Sequence, residues 1–176
     1  MNPVTIAALL EFLSVNHLNP KQETREFFMF PELHQNVSRA VFPEISSTWF
    51  QGDLNDGDFH EEYPTCVMGI FVCNTKTCKA QLWVSRTVPI EIRGYDSDGY
   101  NVVVYNQRCK SCNGLGNFVL DEDSYVERVA YRLKKWAGVV MALPYYDEKK
   151  GRPHERDFCE GCKRGKCQEG DRSAFY

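Results

Sequence analysis

Cys109-Lys110-Ser111-Cys112 and, fifty residues later, Cys159-Glu160-Gly161-Cys162-Lys163-Arg164-Gly165-Lys166-Cys167 are the stretches on which the fold turns. Upstream, Cys73 and Cys78 bracket a four-residue loop, and His154 stands five residues ahead of Cys159. Seven of the eight cysteines fall into these clusters. With His154 they make eight soft donors, the complement of two tetrahedral zinc ions. A CxxC turn suits zinc because both sulfurs face one ion while nearby backbone N–H groups bond the sulfurs.

Two pairings of these donors are open. In a zinc ribbon, Cys73, Cys78, Cys109 and Cys112 form one site, and His154, Cys159, Cys162 and Cys167 form a local second site. The ribbon meets an obstacle. With Tyr95 facing Tyr100 across a hairpin, strict pairing puts Cys109 opposite Arg86, about eight residues or roughly 25 Å short of Cys78. A bend or bulge in Lys79–Val88 would remove the gap, and Pro89 marks a place where regular pairing breaks. In the alternative, Cys73 and Cys78 join two cysteines of the last cluster, and Cys109 and Cys112 take the remainder. Cys66 stands apart on an apolar run and reads as a buried small hydrophobe. His17, His34 and His60 have no cysteine neighbours and read as surface or helix histidines.

At 176 residues, with eleven Phe, nine Tyr and three Trp, the chain has the material for one true hydrophobic core. Metal is then not the sole source of stability, as it is in the smallest zinc fingers. The formal charge of −3 is unevenly placed: residues 1–107 carry −6 and residues 108–167 carry +4. No secretory signal and no membrane span are read, which points to a reducing compartment, the cytoplasm with the nucleus as alternative. There, clustered cysteines signify metal rather than disulfides.

Helical spacing predicts a helix over 3–15 and another from Pro31 to Pro43, carrying Leu33, Val37, Ala40 and Val41. Glu23–Phe30 reads as a further turn or two, and residues 44–64 as a loop. Cys66–Cys73, Gln81–Arg93 and Tyr100–Tyr105 read as strands, the last two joined by the hairpin turn Asp96-Ser97-Asp98-Gly99. Gly114 and Gly116 mark a loop. Asp121–Ser124 caps a helix with Val126, Val129, Ala130, Leu133, Trp136 and Ala137 on one face, ending at Gly138. Residues 144–157 read as a polar linker. The expectation is an α+β fold: a small antiparallel zinc-ribbon-like β-sheet with a packed helix and an N-terminal helical extension. Residues 1–64 form the extension and linker, and residues 65–176 the zinc-binding domain.

The series Gly69-x-Phe71-x-Cys73, Cys78, Trp83-x-Ser85, Tyr105-x-Gln107-Arg108-Cys109-x-x-Cys112, then Pro153-His154 and Cys159-x-x-Cys162-x-x-Gly165-x-Cys167, resembles the three-CxxC-type zinc-finger family. That family includes receptor-transporting proteins, zygote arrest proteins and many uncharacterised fungal proteins. The chain looks most like the fungal group, notably in Phe30-Pro31-Glu32-Leu33-His34 and from Tyr125 to Trp136. The likeness covers about residues 65 to 168, and the longer Cys73–Cys78 pair departs from the family's usual spacing. It implies two structural Zn2+ held by the seven cysteines and His154. It does not imply one activity: receptor-transporting relatives escort membrane proteins, and zygote arrest relatives bind RNA through this domain.

Two classes of function fit, and neither is enzymatic. Four protein ligands per zinc leave no open position for a reacting water, and neither a deaminase signature nor a redox βαβ frame is found. No small-molecule substrate is expected. The first reading is a protein-interaction or adaptor module, using aromatics such as Phe27, Phe28, Phe30, Trp49 and Phe50, although these could equally cap the core. The alternative is RNA binding through cations around the knuckles: Arg108, Lys110, Arg152, Lys163, Arg164 and Lys166. The bland counterpart is that these cations balance zinc-thiolate charge.

Overall fold

The structure, a computed structural model, describes residues 24–54, 57–80, 82–141 and 154–168. The helix expected over 3–15, His17 and Arg152 lie outside these residues. In chain order the strands are β1 (Phe27–Phe28), β2 (Trp49–Phe50), β3 (Glu61–Cys73), β4 (Leu82–Tyr95), β5 (Gly99–Tyr105) and β6 (Gly116–Leu120). The two longer helices are α1 (His34–Val41) and α2 (Glu122–Trp136). The fold is α+β, as expected.

The sheet runs β1-β5-β4-β3-β6, with β2 also beside β5. All its pairings are antiparallel except β2 with β5. Ser97 and Asp98 both have positive φ, 56° and 58°. That is the type I′ geometry whose twist matches a tight hairpin. It sets the β4–β5 register with Gly94 opposite Tyr100 and Tyr95 opposite Gly99, one residue from the expected pairing.

Alternation sends Val67, Phe71, Val88, Ile90 and Ile92 to one face, all buried. Helices α1 and α2 cover that face with Val37, Val41, Tyr125, Val129, Ala130 and Leu133, joined by Leu33 just before α1. Helix α2 begins where the sequence indicates, with the Asp121 carboxylate accepting from Ser124 N at 2.9 Å. It ends in a Schellman arrangement: Val139 N donates to Lys134 O, and Gly138 takes φ +78°. Phe28, Phe30 and Phe50 pack against this core, so most of the aromatics considered for an adaptor groove serve as its lid. Trp49 remains 41% exposed and donates to Asp96 O.

Three segments differ from their sequence readings. Glu23–Phe30 holds a strand where a turn or two was expected: Phe27 and Phe28 pair with Tyr105 and Val104. The loop expected over 44–64 contains Trp49–Phe50 and the first four residues of β3. The Gly114–Gly116 loop stops sooner than expected, because Gly116 opens β6 directly opposite Cys73. In each case the strand is fixed by a partner distant in sequence, which local periodicity cannot show.

Candidate metal centres

The ribbon pairing is the one the chain adopts. Between Val67↔Val88 and Gly69↔Ser85 the register shifts by one, so Arg86 and Thr87 face a single β3 residue, Met68. This bulge lies inside the segment where the ribbon requires one. Pairing of β4 with β5 stops at Ile90, next to Pro89. Beyond Tyr105 the chain leaves β5 and crosses the sheet to become β6 on the far side of β3.

That crossing, residues 106–115, carries the second pair of ligands to the first. Gln107 anchors it on β4: its amide donates to Ser85 Oγ (3.0 Å) and Thr87 O (3.2 Å) and accepts from Trp83 Nε1 (3.4 Å). Asn106, fully buried, donates to Gly116 O (3.0 Å) and Arg25 O (2.7 Å). Gly116 lies against the Trp83 and Phe71 rings, where a Cβ would come within 2.9 Å of Trp83. A side chain there would lift the crossing off the sheet.

The crossing completes the first centre. Cys73 Sγ lies 3.5 Å from Cys112 Sγ, and Cys78 Sγ lies 3.6 Å from Cys109 Sγ. All four sulfurs fall within 4.8 Å of one another. A tetrahedral zinc with 2.3 Å bonds sets its sulfurs about 3.8 Å apart, so the cluster has the right size. The protons alone do not suit it. Desolvation pushes the Cys73 thiol up to about 12, while the Thr75 hydroxyl and the Gly114 backbone pull Cys112 down to about 6. Four crowded thiols cannot all ionise together, and a bound dication removes that conflict.

The second centre is built from one local stretch. His154 Nε2 lies 3.2 Å from Cys162 Sγ and 3.5 Å from Cys167 Sγ, and Cys162 N donates to Cys159 Sγ at 3.4 Å. His154, Cys159, Cys162 and Cys167 again fall within 4.8 Å. The other imidazole nitrogen, Nδ1, lies 3.2 Å from Thr87 Oγ1, which leaves Nε2 as the ligand atom. Thr87 is a bulge residue, so one irregularity both reshapes β4 and orients the histidine. The knuckle docks on the crossing through Arg108 N to Phe158 O (2.7 Å) and Glu160 N to Asn106 O (3.1 Å). Gly161 presses on Pro89, where a Cβ would come within 2.8 Å of the proline ring.

None of the eight cysteines is in a disulfide. Cys66 is half-buried rather than buried, and its thiol hydrogen-bonds Cys167, a contact that helps lower the Cys167 thiol after the larger effect of Cys159. It is outside both four-donor clusters. Replacing it with alanine therefore leaves two zinc ions per chain by elemental analysis; loss of one would make Cys66 a ligand.

The structure also accounts for the cations around the knuckles. Arg108 pairs with Glu160 and Glu26, Lys110 with Glu155, Lys163 with Glu160, Arg164 with Glu26, and Lys166 with Glu62 and Glu91. Five of the six residues considered for nucleic-acid contact are thus paired with carboxylates. Glu91 was not singled out from the sequence. It is fully buried, accepts from Tyr105 Oη and Arg93 Nε at 2.7 Å each, and lies 3.4 Å from Lys166 Nζ within the second knuckle. His34 lies 3.2 Å from the Tyr100 hydroxyl, and His60 pairs with Asp96.

A curled antiparallel sheet closed by two four-donor thiolate-rich clusters defines a zinc-ribbon protein. The three-CxxC zinc-ribbon family model, described as a zinc-binding domain, matches residues 66–165, and the chain belongs to that family. Each of the two clusters could hold one zinc ion. Comparison with curated proteins and with solved structures returns no match. No helix among the described residues is long and apolar enough to cross a membrane.

Proposed function

We propose that the chain is a non-enzymatic protein-interaction module, its two zinc ions structural and its working surface the open half of the sheet's outer face. The observation that carries this reading is an apolar strip on that face. By alternation Met68, Ile70 and Val72 of β3 point away from the helices, with Val84 opposite Ile70, Leu82 opposite Val72 and Val119 of β6 on the other side of Ile70. Met68, Leu82 and Val84 are 40%, 39% and 50% exposed. The second zinc knuckle covers the part of this face around Pro89 and Cys66 and stops short of the strip.

Lys76, Lys79 and Arg86 flank the strip, exposed and without an ion-pair partner among the described residues. Apolar contact with a cationic border suits a protein segment whose apolar side chains are flanked by Asp or Glu. RNA is less well suited: the strip is aliphatic and offers no ring for base stacking. Both four-donor clusters are closed, which supports a structural rather than catalytic role for the metal.

A photo-crosslinking residue in place of Val84, with a control at exposed Glu127 on α2, tests this reading in cells. Discrete protein adducts at position 84 and not at 127 are expected. Val84→Asp should keep both zincs and reduce capture by about tenfold or more, since the new carboxylate would be desolvated without a partner. Adducts to RNA alone, or the same adducts at both positions, would remove the proposal.

A further inference from the structure

At the end of the sheet away from the first metal centre, the β4–β5 turn, the start of β3 and the end of α2 line a half-open pocket of about 250 Å³. Its inner wall is apolar, formed by Ile45, Leu133, Tyr95 and the Trp136 indole. The indole lies over Gly94, where a Cβ would come within 3.1 Å of the ring. Its rim carries Glu61, Asp96, Asp98 and His60, and no lysine or arginine lines it. His60 engages Asp96 at 3.1 Å. Glu61 and Asp98 have no ion-pair partner among the described residues.

We propose that this pocket is a second binding site, which takes the lysine or arginine side chain of a partner protein. Three properties select that ligand. The volume falls below the roughly 300–1,000 Å³ of pockets for whole small molecules, and suits a single side chain. The buried apolar side chains match an alkyl stem lying across the pocket, and the Trp136 indole, beside Glu61, matches a cationic head at the rim. The two unpaired carboxylates at the mouth supply the opposite charge, near the carbonyl-rich C-terminal end of α2. An aspartate or glutamate side chain would meet repulsion, and a neutral polar one would leave the carboxylates uncompensated.

The site is independent of the apolar strip and does not rest on it. Its test uses the zinc-loaded full chain and NMR titration with the capped pentapeptides Gly-Gly-Arg-Gly-Gly and Gly-Gly-Lys-Gly-Gly. The comparison peptide carries citrulline, which keeps the shape of arginine without its charge. The cationic peptides are expected to shift the Trp136 indole N–H and the Gly94 and Asp98 amides, and the citrulline peptide to do so at least about fivefold more weakly. The double variant Glu61→Gln/Asp98→Asn should lose the response by a similar factor with the rest of its spectrum unchanged. Asparagine tolerates the left-handed backbone at position 98, so the turn is kept. Equal shifts from the citrulline peptide, undiminished binding by the double variant, or no shift from any peptide would overturn the proposal. The Val84→Asp variant retains the response, so failure of the apolar strip and failure of this pocket are read separately.

Discussion

Replacing Cys159 with alanine is expected to leave one zinc per chain in place of two, and stripping both ions with a strong chelator to unfold the zinc-bearing end of the sheet. Structural zinc contributes an apparent 10–16 kcal/mol in small zinc-finger peptides, while a whole domain is stable by only about 5–15 kcal/mol. This chain has its own helix-covered core, so the loss is not total, but the metal term rivals the entire margin. Cys159 is the sensitive position in the second centre. It is 1% exposed, its backbone bridges Gln107, and its sulfur accepts from Cys162 N. Losing it frees the knuckle that packs on Pro89 and Arg108. Cys109→Ala should do the same to the first centre, since Cys109 is equally buried. Elemental analysis gives the stoichiometry, and near-UV circular dichroism before and after chelation gives the structural loss. A Cys159→Ala chain still holding two zinc ions would refute the assignment of the second centre.

Glu91→Ala is expected to cost about 3–5 kcal/mol without touching a metal ligand. The wild-type carboxylate is fully buried among Tyr105, Arg93 and Lys166. Truncation leaves Arg93 Nε and the Tyr105 hydroxyl without their acceptor, and it leaves Lys166 held to the sheet by Glu62 alone. Glu91→Gln should cost less, about 1–3 kcal/mol, because the amide oxygen can still accept. Urea unfolding at unchanged zinc content measures both. The pH dependence has a definite sign. Burial, the largest single influence, raises the Glu91 pKa. The hydrogen bonds from Tyr105 and Arg93 and the charges of Arg93 and Lys166 outweigh it, so the folded-state value lies below the usual 4.5. Such a carboxyl stabilises fully above its unfolded value and loses that contribution as pH falls through its folded value. The gap between wild type and Glu91→Ala is therefore flat near neutrality and closes in acid. A difference under about 1 kcal/mol at pH 7 would show Glu91 to be dispensable.

The donors themselves were legible because soft ligands announce themselves by residue type and spacing, without the fold. Helix α2 was legible for a similar reason: Asp121, the Val129–Leu133 face and Gly138 are all local signals. How the donors combine was only half legible. Pro89 pointed to the interruption in pairing, but the route of residues 106–115 across the sheet depends on Gln107 meeting Ser85 and on Gly116 fitting beneath Trp83, which are encounters between distant segments. Strands β1 and β6 were missed for that reason. The basic stretch around Cys162–Cys167 was half legible in the same way. Its charges are visible in the sequence, but the acids that absorb them are not, since Glu26 and Glu62 lie 138 and 104 residues from Arg164 and Lys166.

The route of residues 106–115 also bears on how the molecule is made. The first centre draws its ligands from both sides of the β4–β5 hairpin, so the set is complete as soon as Cys112 has left the ribosome, before β6, α2 or the other knuckle exists. An ion captured at that moment would tie off a loop of some thirty residues, from Cys78 to Cys109, and hold the nascent hairpins in register while the remainder is synthesised. The order in which the two ions enter would then be written into the chain's direction of growth, with the later one sealing a body that the earlier one had already shaped.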